Sequence, residues 1–405
     1  MKRSRLDNWI CSLEGLPELT PDALAALQLE RLNALLARER ARGGFYSGLP
    51  ARLESLSQLS SLPFTTPRQL AENAGAMLLC SQSEISRVIS GATSGTTGPA
   101  KRVFYTERDI AHTVGFFAAG IGEFTSAGDT VMIAMPFSGP FGLGDLIARA
   151  VESLGARALR TGVARTYSSL CAELDDERPS AYIGMPVPLL ATLRYYVNLN
   201  GRLPSLRRAL ISGDACPRGV VQEIEKLLGG PLFPHYGSRE MCLGGAITCP
   251  AHEGMHLRAN HILAEIVSPE GEPLPDGEWG ELVITTLDME ALPLIRYRTG
   301  DFTRLLPGPC PCGSCAPRLD RVSRLDARES FMERLDSALF PLPGLLDYDA
   351  RLLPGRLEIS AVTLDGRDGG LAAAAAPLLP GAEISVSCRR ADGGGVPSPR
   401  KRTLL

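Results

Sequence analysis

The chain has 405 residues, more than one compact core usually holds, so two domains are expected. Hydrophobic residues make up 44% and charged residues 21%, a balance typical of globular proteins and not of disordered or fibrous ones. The net charge of −3, with lysines and arginines scattered along the chain, argues against a nucleic-acid surface.

The sequence predicts a cytoplasmic location and no membrane contact. The N-terminal residues lack an apolar run of the length that a signal peptide needs. The most apolar stretch, residues 371–379, is too short to span a bilayer and contains Pro377. Ten cysteines in a cytoplasmic chain favour reduced thiols or a metal site over a disulfide framework.

The local pattern predicts a helix followed by an α/β sheet. Residues 21–42 carry leucines at helical spacing behind Pro21, which predicts an amphipathic helix. Between residues 110 and 300, short apolar runs alternate with helical stretches such as Leu143–Leu154, and this alternation predicts a sheet with crossover helices. The strand candidates are Thr130–Met135, Ala181–Gly184, Arg208–Ser212 and Glu281–Ile284.

A change in composition marks the predicted domain boundary. Residues 307–317 are rich in proline, glycine and cysteine, and glycine, alanine and arginine become frequent after residue 325. We therefore predict a large N-terminal domain, residues 1–323, and a small C-terminal domain, residues 324–405.

The segment Ala92–Lys101 combines hydroxyl side chains with glycines. Glycines let a backbone come close to phosphates, and hydroxyls and amides donate hydrogen bonds to phosphate oxygens. The segment is not a Walker loop, because no Gly-Lys-Ser/Thr follows at the required spacing, and an ordinary polar loop is the alternative. The candidate phosphate-binding residues are Thr93, Ser94, Gly95, Thr96, Thr97 and Gly98.

Two further segments each carry a carboxylate. Glu240 follows Tyr236-Gly237-Ser238-Arg239, and a carboxylate is the hard oxygen ligand that Mg²⁺ prefers. Asp301 follows Tyr297-Arg298-Thr299-Gly300, and a carboxylate can accept hydrogen bonds from two hydroxyls at once. For the segment that ends in Glu240, the alternative is an ordinary strand end followed by a helix start. For the segment that ends in Asp301, the alternative is a plain turn.

The three segments together resemble a known enzyme superfamily. The first is similar to the phosphate-binding signature of the acyl-adenylate-forming enzymes, and the flanking residues 62–66 and 104–109 resemble its phenylacetate–coenzyme A ligase branch. The resemblance runs, with gaps, over nearly the whole chain. It implies a large adenylation domain built on α/β sheets and a small, mobile α+β C-terminal domain.

The resemblance also implies roles for single residues. Tyr236 would pack on adenine within a nucleotide-binding segment that includes Gly237 and Ser238, Glu240 would hold magnesium, and Asp301 would bind the ribose hydroxyls. Arg239 stands where the family usually has Thr or Ser, and its guanidinium can bind phosphate. Gly213 and Asp214 would lie against adenine, and residues 137–142 occupy the place of the family's acyl pocket.

The C-terminal region resembles the family less closely. Arg321–Asp326 is similar to the hinge about which the small domain swings between adenylation and thioester formation, although the hinge glycine and second aspartate are missing. Arg324 would be a ribose or hinge contact. Residues 398–403 correspond to the tail with the family's catalytic lysine, which we assign to Lys401; Arg400 and a solvated basic tail are the alternatives.

Several cysteines and histidines have the spacing of a zinc site. Thiolates and an imidazole at such spacings suit tetrahedral zinc, and some relatives carry a comparable structural cluster. The predicted ligands are Cys249, His256, Cys310 and Cys312, with Cys315 and His252 as substitutes. Reduced thiols without a metal are the alternative.

The resemblance implies that the protein activates a carboxylic acid, aryl or small, with ATP and Mg²⁺ and passes the acyl group to coenzyme A. Glu240, Thr96 and Lys401 would be the catalytic residues. The alternatives are transfer to a carrier protein, an amine or a cofactor hydroxyl, and a nucleotide-binding homologue without catalysis. Relatives often dimerise, so the resemblance also allows a homodimer.

Overall fold

The computed structural model describes residues 4–91, 101–139, 141–325, 327–397 and 404. The predicted phosphate-binding residues Thr93–Gly98 and the predicted catalytic residue Lys401 lie outside the described residues.

Helices and strands are numbered here in chain order. The first part of the chain forms α1 (Arg5–Glu14), α2 (Pro21–Arg42), α3 (Pro67–Asn73), β1 (Arg87–Gly91), β2 (Lys101–Tyr105) and α4 (Glu107–Ile121). The next part forms β3 (Thr130–Ala134), α5 (Leu143–Ser153), β4 (Arg157–Leu159), α6 (Tyr167–Glu177), β5 (Ala181–Gly184), α7 (Pro186–Asn200), β6 (Arg208–Ile211), α8 (Arg218–Leu228) and β7 (Phe233–Tyr236).

The remaining elements follow a short 3₁₀ turn, Arg239–Met241. They begin with β8 (Ala246–Thr248), β9 (Met255–Leu257), β10 (Ile262–Val267), β11 (Gly280–Thr286), β12 (Tyr297–Thr303) and β13 (Arg318–Leu319). The last part of the chain forms β14 (Ser323–Arg324), α9 (Ala327–Leu339), β15 (Leu345–Leu353), β16 (Arg356–Thr363), α10 (Leu371–Ala375) and β17 (Glu383–Arg390).

The local elements predicted from the sequence are confirmed. The predicted helix 21–42 corresponds to α2. The Thr20 side chain caps its first turn, and Gly43, at φ 64°, takes the left-handed conformation that ends the helix. The strand candidates correspond to β3, β5, β6 and β11, and the predicted helix 143–154 corresponds to α5. The predicted α/β fold class is confirmed as well.

The described residues group into two compact units. Unit 1 contains those up to Glu123 and those from His235 to Val322, whereas unit 2 contains those from Phe124 to Pro234 and those from Ser323 onward. One passage of the chain between the units, at 322/323, lies beside the predicted domain boundary at 323/324. The predicted functional extents of the two domains stay a prediction.

Unit 1 is built on antiparallel pairing. His235 and Tyr236 of β7 pair with β8, which pairs with β9, and β9 pairs with β13. A second group consists of β10, β11 and β12 in that order, and β1 and β2 form a separate hairpin. The hairpin holds Gly91 opposite Lys101, so the strands that flank the predicted phosphate loop are paired up to its two ends.

Unit 2 has a parallel sheet with crossover helices. Phe233 and Pro234 of β7 pair with β6, and the order continues through β5 and β3 to β4. Strand β16 lies between β15, which is antiparallel to it, and β17, which is parallel to it. One hydrophobic cluster contains side chains from α6, α7 and α8 together with side chains from α9, β15 and β16. None of the described helices combines the length and the apolar composition that a membrane span needs.

Candidate active site

Tyr236 and Asp301 meet in unit 1 although they are far apart in the sequence. Tyr236 ends β7 and Asp301 lies on β12. The Tyr236 hydroxyl donates to Oδ2 of Asp301 over 2.5 Å, and Asp301 is only 4% exposed. Two of the three segments singled out in the sequence are therefore in direct contact, with an aromatic ring and a carboxylate side by side.

A bulge in β12 presents Asp301. Glu281 pairs with Phe302 and Val283 pairs with Arg298, so residues 299–301 stand opposite Leu282 alone. The Thr299 hydroxyl donates to the Leu282 carbonyl over 2.7 Å and accepts from the Asp301 amide over 3.0 Å. Gly300 has φ 73°, a left-handed conformation that explains why glycine stands there.

Glu240 is the second buried carboxylate of this region. Its Oε1 accepts from Nζ of Lys101 over 2.6 Å and from the Tyr297 hydroxyl over 3.1 Å, and Glu240 is 7% exposed. Burial raises the pKa of the Glu240 carboxyl, but the Lys101 ammonium, together with hydrogen bonds to the carboxylate, outweighs burial and leaves the pKa below its ordinary value. The carboxylate is therefore ionised at neutral pH, as a cation ligand must be.

The backbone around Glu240 is tightly constrained. A Cβ at position 237 would lie 2.2 Å from the Leu243 carbonyl oxygen, so only glycine allows this approach. Ser238 accepts with its carbonyl from the amides of Met241 and Leu243. Cys242 and Leu243 have φ of 49° and 67°, conformations that non-glycine residues rarely adopt. The strain lies directly beside the candidate ligand Glu240.

Arg239 lies against the strand that leads into the predicted phosphate loop. A Cβ on Gly91 would fall 1.5 Å from Nη1 of Arg239, so the guanidinium rests on the open face of that glycine. The Arg239 carbonyl accepts from the Tyr105 hydroxyl over 2.5 Å. Arg239 and Glu240 thus contact the two strands of the β1–β2 hairpin, Arg239 at Gly91 and Glu240 at Lys101.

The segments that resemble the phenylacetate–coenzyme A ligase branch have structural roles. Thr66 caps α3 and Thr106 caps α4, each through a capping box. The buried Asp109 accepts from the amides of Glu290 and Ala291 over 2.7 and 3.1 Å. These residues fix the ends of helices beside β2 and do not themselves form the site.

The remaining predicted nucleotide and acyl contacts belong to unit 2. Gly213, at φ 89°, and Asp214 follow β6, and Asp214 accepts from the Ala215 amide over 2.9 Å. The Arg160 guanidinium lies 5.5 Å from the ring centre of Phe137, within the predicted acyl segment. Arg324 lies on β14 and is half-buried.

The predicted zinc ligands come together in unit 1. The ligand atoms of Cys249, His256, Cys310 and Cys312 all lie within 4.8 Å of one another. The Cys249 and Cys310 sulfurs are 3.6 Å apart, and the Cys312 sulfur is 3.3 Å from Nε2 of His256. Tetrahedral zinc, with Zn–S bonds of about 2.3 Å, places its sulfurs about 3.8 Å apart, so the group fits that metal.

The imidazole of His256 is oriented for a metal. Its Nδ1 is 2.9 Å from the Ala316 carbonyl, which can only accept, so Nδ1 carries the proton and Nε2 faces the thiols with its lone pair. Burial lowers the pKa of His256, which keeps the ring neutral. The substitute ligand Cys315 instead donates to the Leu19 carbonyl over 3.4 Å, and His252 is not part of the group.

A second group of metal-ligand side chains comprises His112, His261 and Asp288. The Asp288 carboxylate already accepts from Arg31 over 2.8 Å and from Arg108 over 3.0 Å. Two guanidinium charges on the only carboxylate disfavour a bound cation. We interpret this group as a structural hydrogen-bond network.

Lys101 and Tyr297 were not among the predicted site residues. Both stand within quoted segments, Lys101 at the end of the hydroxyl and glycine segment and Tyr297 at the start of the Thr-Gly-Asp segment. The sequence therefore indicated these two residues only through their position beside predicted site residues. Only the contacts to Glu240 connect these two side chains with the candidate site.

Comparison with known proteins identifies the family. Residues 92–289 match the model of the AMP-binding enzymes. Phenylacetate-coenzyme A ligase from Aromatoleum evansii is 33% identical over 73% of this chain and 69% of its own. The enzyme of that name from Pseudomonas putida is 32% identical over 79% of this chain and 74% of its own. The chain belongs to the phenylacetate–coenzyme A ligase family.

Solved structures agree with this fold. A 2-hydroxyisobutyryl-CoA ligase in its postadenylation state superposes with a TM-score of 0.76, covering 93% of this chain and 88% of that one at 20% identity. The family match begins at residue 92, where the predicted phosphate loop starts, and includes Glu240. In this phenylacetate–coenzyme A ligase family member, Asp301 lies beyond the matched range.

Proposed function

We propose that the protein is an AMP-forming acid–thiol ligase. It activates a carboxylic acid with ATP to an acyl-adenylate and then transfers the acyl group to coenzyme A. Family membership supports this reaction class. The observation that carries the proposal is the contact between residues 236–240 and residues 297–301, because Tyr236 meets Asp301 and Glu240 meets Tyr297.

Glu240 is the proposed magnesium ligand. When bound, magnesium would neutralise the phosphates of ATP and favour departure of pyrophosphate. Glu240 supplies a buried, ionised oxygen for it, and Lys101 is the cation that occupies this oxygen otherwise. Lys101 is then freed for the phosphates, which carry the opposite charge.

The nucleotide is held by side chains with matched chemistry. The Tyr236 ring offers a flat surface for adenine. Asp301 can accept from both ribose hydroxyls. The amides and hydroxyls of Thr93–Gly98, together with Gly237, Ser238 and Arg239, are proposed for the phosphates.

The chemistry needs no covalent nucleophile from the protein. A carboxylate oxygen of the acid attacks the α-phosphorus of ATP and pyrophosphate leaves. The coenzyme A sulfur then attacks the acyl carbon and AMP leaves. The protein positions the reactants and stabilises developing charge through Thr96, Glu240 and Lys101, with Lys401 as the proposed lysine at the α-phosphate.

Pyrophosphate exchange into ATP tests the activation step. The purified protein is offered a panel of aryl and short aliphatic acids with Mg²⁺, and at least one acid should support exchange. Glu240→Gln should lower the exchange rate about 100-fold, because the metal loses a charged ligand. Glu253→Gln is the matched control, since its side chain is 57% exposed, and it should exchange like the wild type. Absence of exchange with every acid would refute the proposal.

Release of free thiol groups identifies the acceptor. With the best acid and coenzyme A, loss of thiol should match AMP formation one to one. If AMP forms while the thiol persists, the acceptor is a carrier protein, an amine or a cofactor hydroxyl. If ATP binds but no exchange occurs, the protein is a nucleotide-binding homologue without catalysis.

We also propose a structural zinc ion at Cys249, His256, Cys310 and Cys312. Four protein ligands leave no position for a reacting water, so this metal would support the fold only. Elemental analysis should find about one zinc per chain, and Cys310→Ser should lose it and melt at a lower temperature. Cys388→Ser, at a half-buried cysteine outside the group, is the control. A metal-free wild-type protein of unchanged stability would contradict the site.

A cytoplasmic homodimer completes the proposal. The dimer rests on the family resemblance alone. Sedimentation equilibrium of the zinc-loaded protein should give twice the chain mass of 43.3 kDa, and a single-chain mass would exclude the dimer.

A further inference from the structure

Tyr297 bridges the two charged groups of the candidate site. Its hydroxyl donates to Oε1 of Glu240 over 3.1 Å and accepts from Nζ of Lys101 over 3.1 Å, while Nζ and Oε1 are themselves 2.6 Å apart. The three polar atoms therefore form a closed triangle. A phenol has one proton to donate and a lone pair to accept with, so one neutral group contacts both the carboxylate and the ammonium.

The backbone around Tyr297 is fixed by its neighbours. Tyr297 begins β12, where it pairs with Ile284 of β11, and it also bridges to Thr65. The Thr65 carbonyl accepts from the Arg298 amide over 2.9 Å, and the Thr65 amide donates to the Arg296 carbonyl over 2.9 Å. Tyr297 is only 1% exposed, so close packing holds its hydroxyl at one point.

Lys101 is the flexible member of the triangle. Its charge stands on a four-carbon stem and its side chain is 20% exposed, whereas the Glu240 side chain is 8% exposed. If Glu240 gives Oε1 to magnesium, as proposed, Lys101 loses its anionic partner, because two cations repel each other on one carboxylate oxygen. The Tyr297 hydroxyl is uncharged and still offers a lone pair to the ammonium.

We propose that Tyr297 is the positioning residue for Lys101 in the adenylation step. Its hydroxyl retains the ammonium within the site when Glu240 is taken by the metal. Lys101 then reaches the phosphates of ATP without the entropy loss of ordering a free lysine side chain. Tyr297 acts through Lys101 and needs no contact with the nucleotide. The inference rests on the proposed ligase reaction and concerns its first step.

Pyrophosphate exchange by Tyr297→Phe tests this role. The substitution keeps the ring and removes only the hydroxyl, so kcat should fall about tenfold, because the ammonium loses one of its hydrogen bonds. The KM for ATP should stay within about twofold, because the tyrosine acts on the lysine and not on the bound nucleotide. An unchanged kcat would overturn the inference, and so would a raised KM with an intact kcat.

Tyr46→Phe is the matched control. Tyr46 is 6% exposed, and its hydroxyl lies 2.8 Å from the Thr65 hydroxyl and accepts from the Ile295 amide over 3.3 Å. The control therefore removes a buried tyrosine hydroxyl beside the start of the same strand. It should lose as much stability as Tyr297→Phe and keep the wild-type kcat. An equal fall of kcat in both variants would show a structural effect and would refute the positioning role.

A double-mutant cycle asks whether Tyr297 acts through Lys101. Lys101→Met removes the group that the tyrosine positions, so adding Tyr297→Phe to it should lower kcat by less than about twofold further. A further loss of about tenfold would show that the two residues act independently and would refute the inference.

Acetylation of lysine amines tests the contact in the free protein, where no reaction is needed. Lys226, whose side chain is 77% exposed, is the internal standard. Relative to Lys226, Lys101 should be acetylated about fivefold faster in Tyr297→Phe than in the wild type, because its ammonium has one acceptor fewer. Mass spectrometry measures this ratio, which Tyr46→Phe should leave unchanged. Equal ratios in Tyr297→Phe and the wild type would refute the contact.

The two proposals fail in different ways. Absence of exchange in the wild type would refute the ligase reaction, and with it the role of Tyr297 in adenylation, whatever the acetylation ratio. Exchange in the wild type with the same kcat in Tyr297→Phe would refute the positioning role alone.

Discussion

Lys101 and Glu240 form a partly buried ion pair at the centre of the candidate site. Their side chains are 20% and 8% exposed, and the Lys101 ammonium keeps the pKa of the Glu240 carboxyl below its ordinary value against the opposing effect of burial. Magnesium binding would replace one cation by another on the same oxygen. If Glu240 is the magnesium ligand, as proposed, Lys101 would prepare it for the metal, because it keeps the carboxylate ionised.

Lys101→Met should shift the pH dependence of pyrophosphate exchange. Without the ammonium, the largest effect that opposes burial is gone, so the pKa of Glu240 should rise and the loss of activity on the acid side should begin at a higher pH than in the wild type. Stability should also fall by about 2 kcal/mol, because a hydrogen bond to a charged group is lost. Lys101→Arg is the control that keeps the charge, and an unchanged acid limb in Lys101→Met would contradict the role.

His235 makes stability sensitive to acid. Burial beside Phe116 and Phe117 lowers the pKa of His235 from 6.5 to about 3. As the pH falls below 6.5, His235 becomes protonated in the unfolded chain but stays neutral in the folded protein. The free energy of unfolding therefore falls by about 1.4 kcal/mol per pH unit. Urea unfolding of His235→Gln between pH 8 and 5 should show a shallower fall. Equal slopes for the two proteins below pH 6.5 would contradict this account.

The bulge in β12 places Asp301 at the site. A regular antiparallel pairing would give one partner to each of residues 299–301, and the side chains would alternate between the two faces. Instead three residues stand opposite Leu282, and hydrogen bonds from Thr299 and Gly300 hold the distortion. Strand β12 thus lacks regular pairing with β11 at residues 299–301, and this irregularity sets the position of the Asp301 carboxylate.

Gly300→Ala should weaken ATP binding. Gly300 has φ 73° and no atom within 4 Å of a new Cβ, so the substitution acts through backbone strain of about 1 kcal/mol. Gly308→Ala is closely matched, with the same φ and the same open surroundings, but it lies outside β12. Both variants should lose similar stability, whereas only Gly300→Ala should raise the KM for ATP. An equal KM in the two variants would exclude the bulge from nucleotide binding.

At the scale of the whole molecule, the chain returns to each compact unit after leaving it. Residues 323–397 complete the core begun by residues 124–234, and residues 235–322 complete unit 1. In unit 2 this closure depends on non-local contacts such as those of Arg194.

Arg194→Met should destabilise unit 2 by about 3 kcal/mol, because two buried carbonyls and Glu223 lose their contact with the guanidinium. Arg202→Met is the control near the end of the same helix, since Arg202 is 61% exposed, and it should cost less than about 0.5 kcal/mol. Denaturant unfolding followed by hydrogen exchange of α7 measures the difference. Equal free energies of unfolding for the two variants would show that Arg194 does not stabilise unit 2.

Local features were predictable because short-range physical chemistry determines them. The cap at Thr20, the left-handed Gly43 and the apolar spacing between them set the bounds of α2. Likewise, the resemblance of residues 236–240 and 297–301 to family segments implied a nucleotide before any geometry was known. Hydrogen-bonding capacity and charge belong to the residue itself, so these assignments needed no fold.

The tertiary structure alone decided which side chains meet. Nothing in the local sequence pairs Lys101 with Glu240, 139 positions apart, or Arg194 with Leu345, 151 positions apart. Such contacts follow from strand order, from the β12 bulge and from the burial of α7 and α8. The sequence by itself therefore determined the predicted helices, the predicted strands and the chemistry of the motifs, whereas long-range packing decided the arrangement of the carboxylates and the place of residues 323–397 in the core of unit 2.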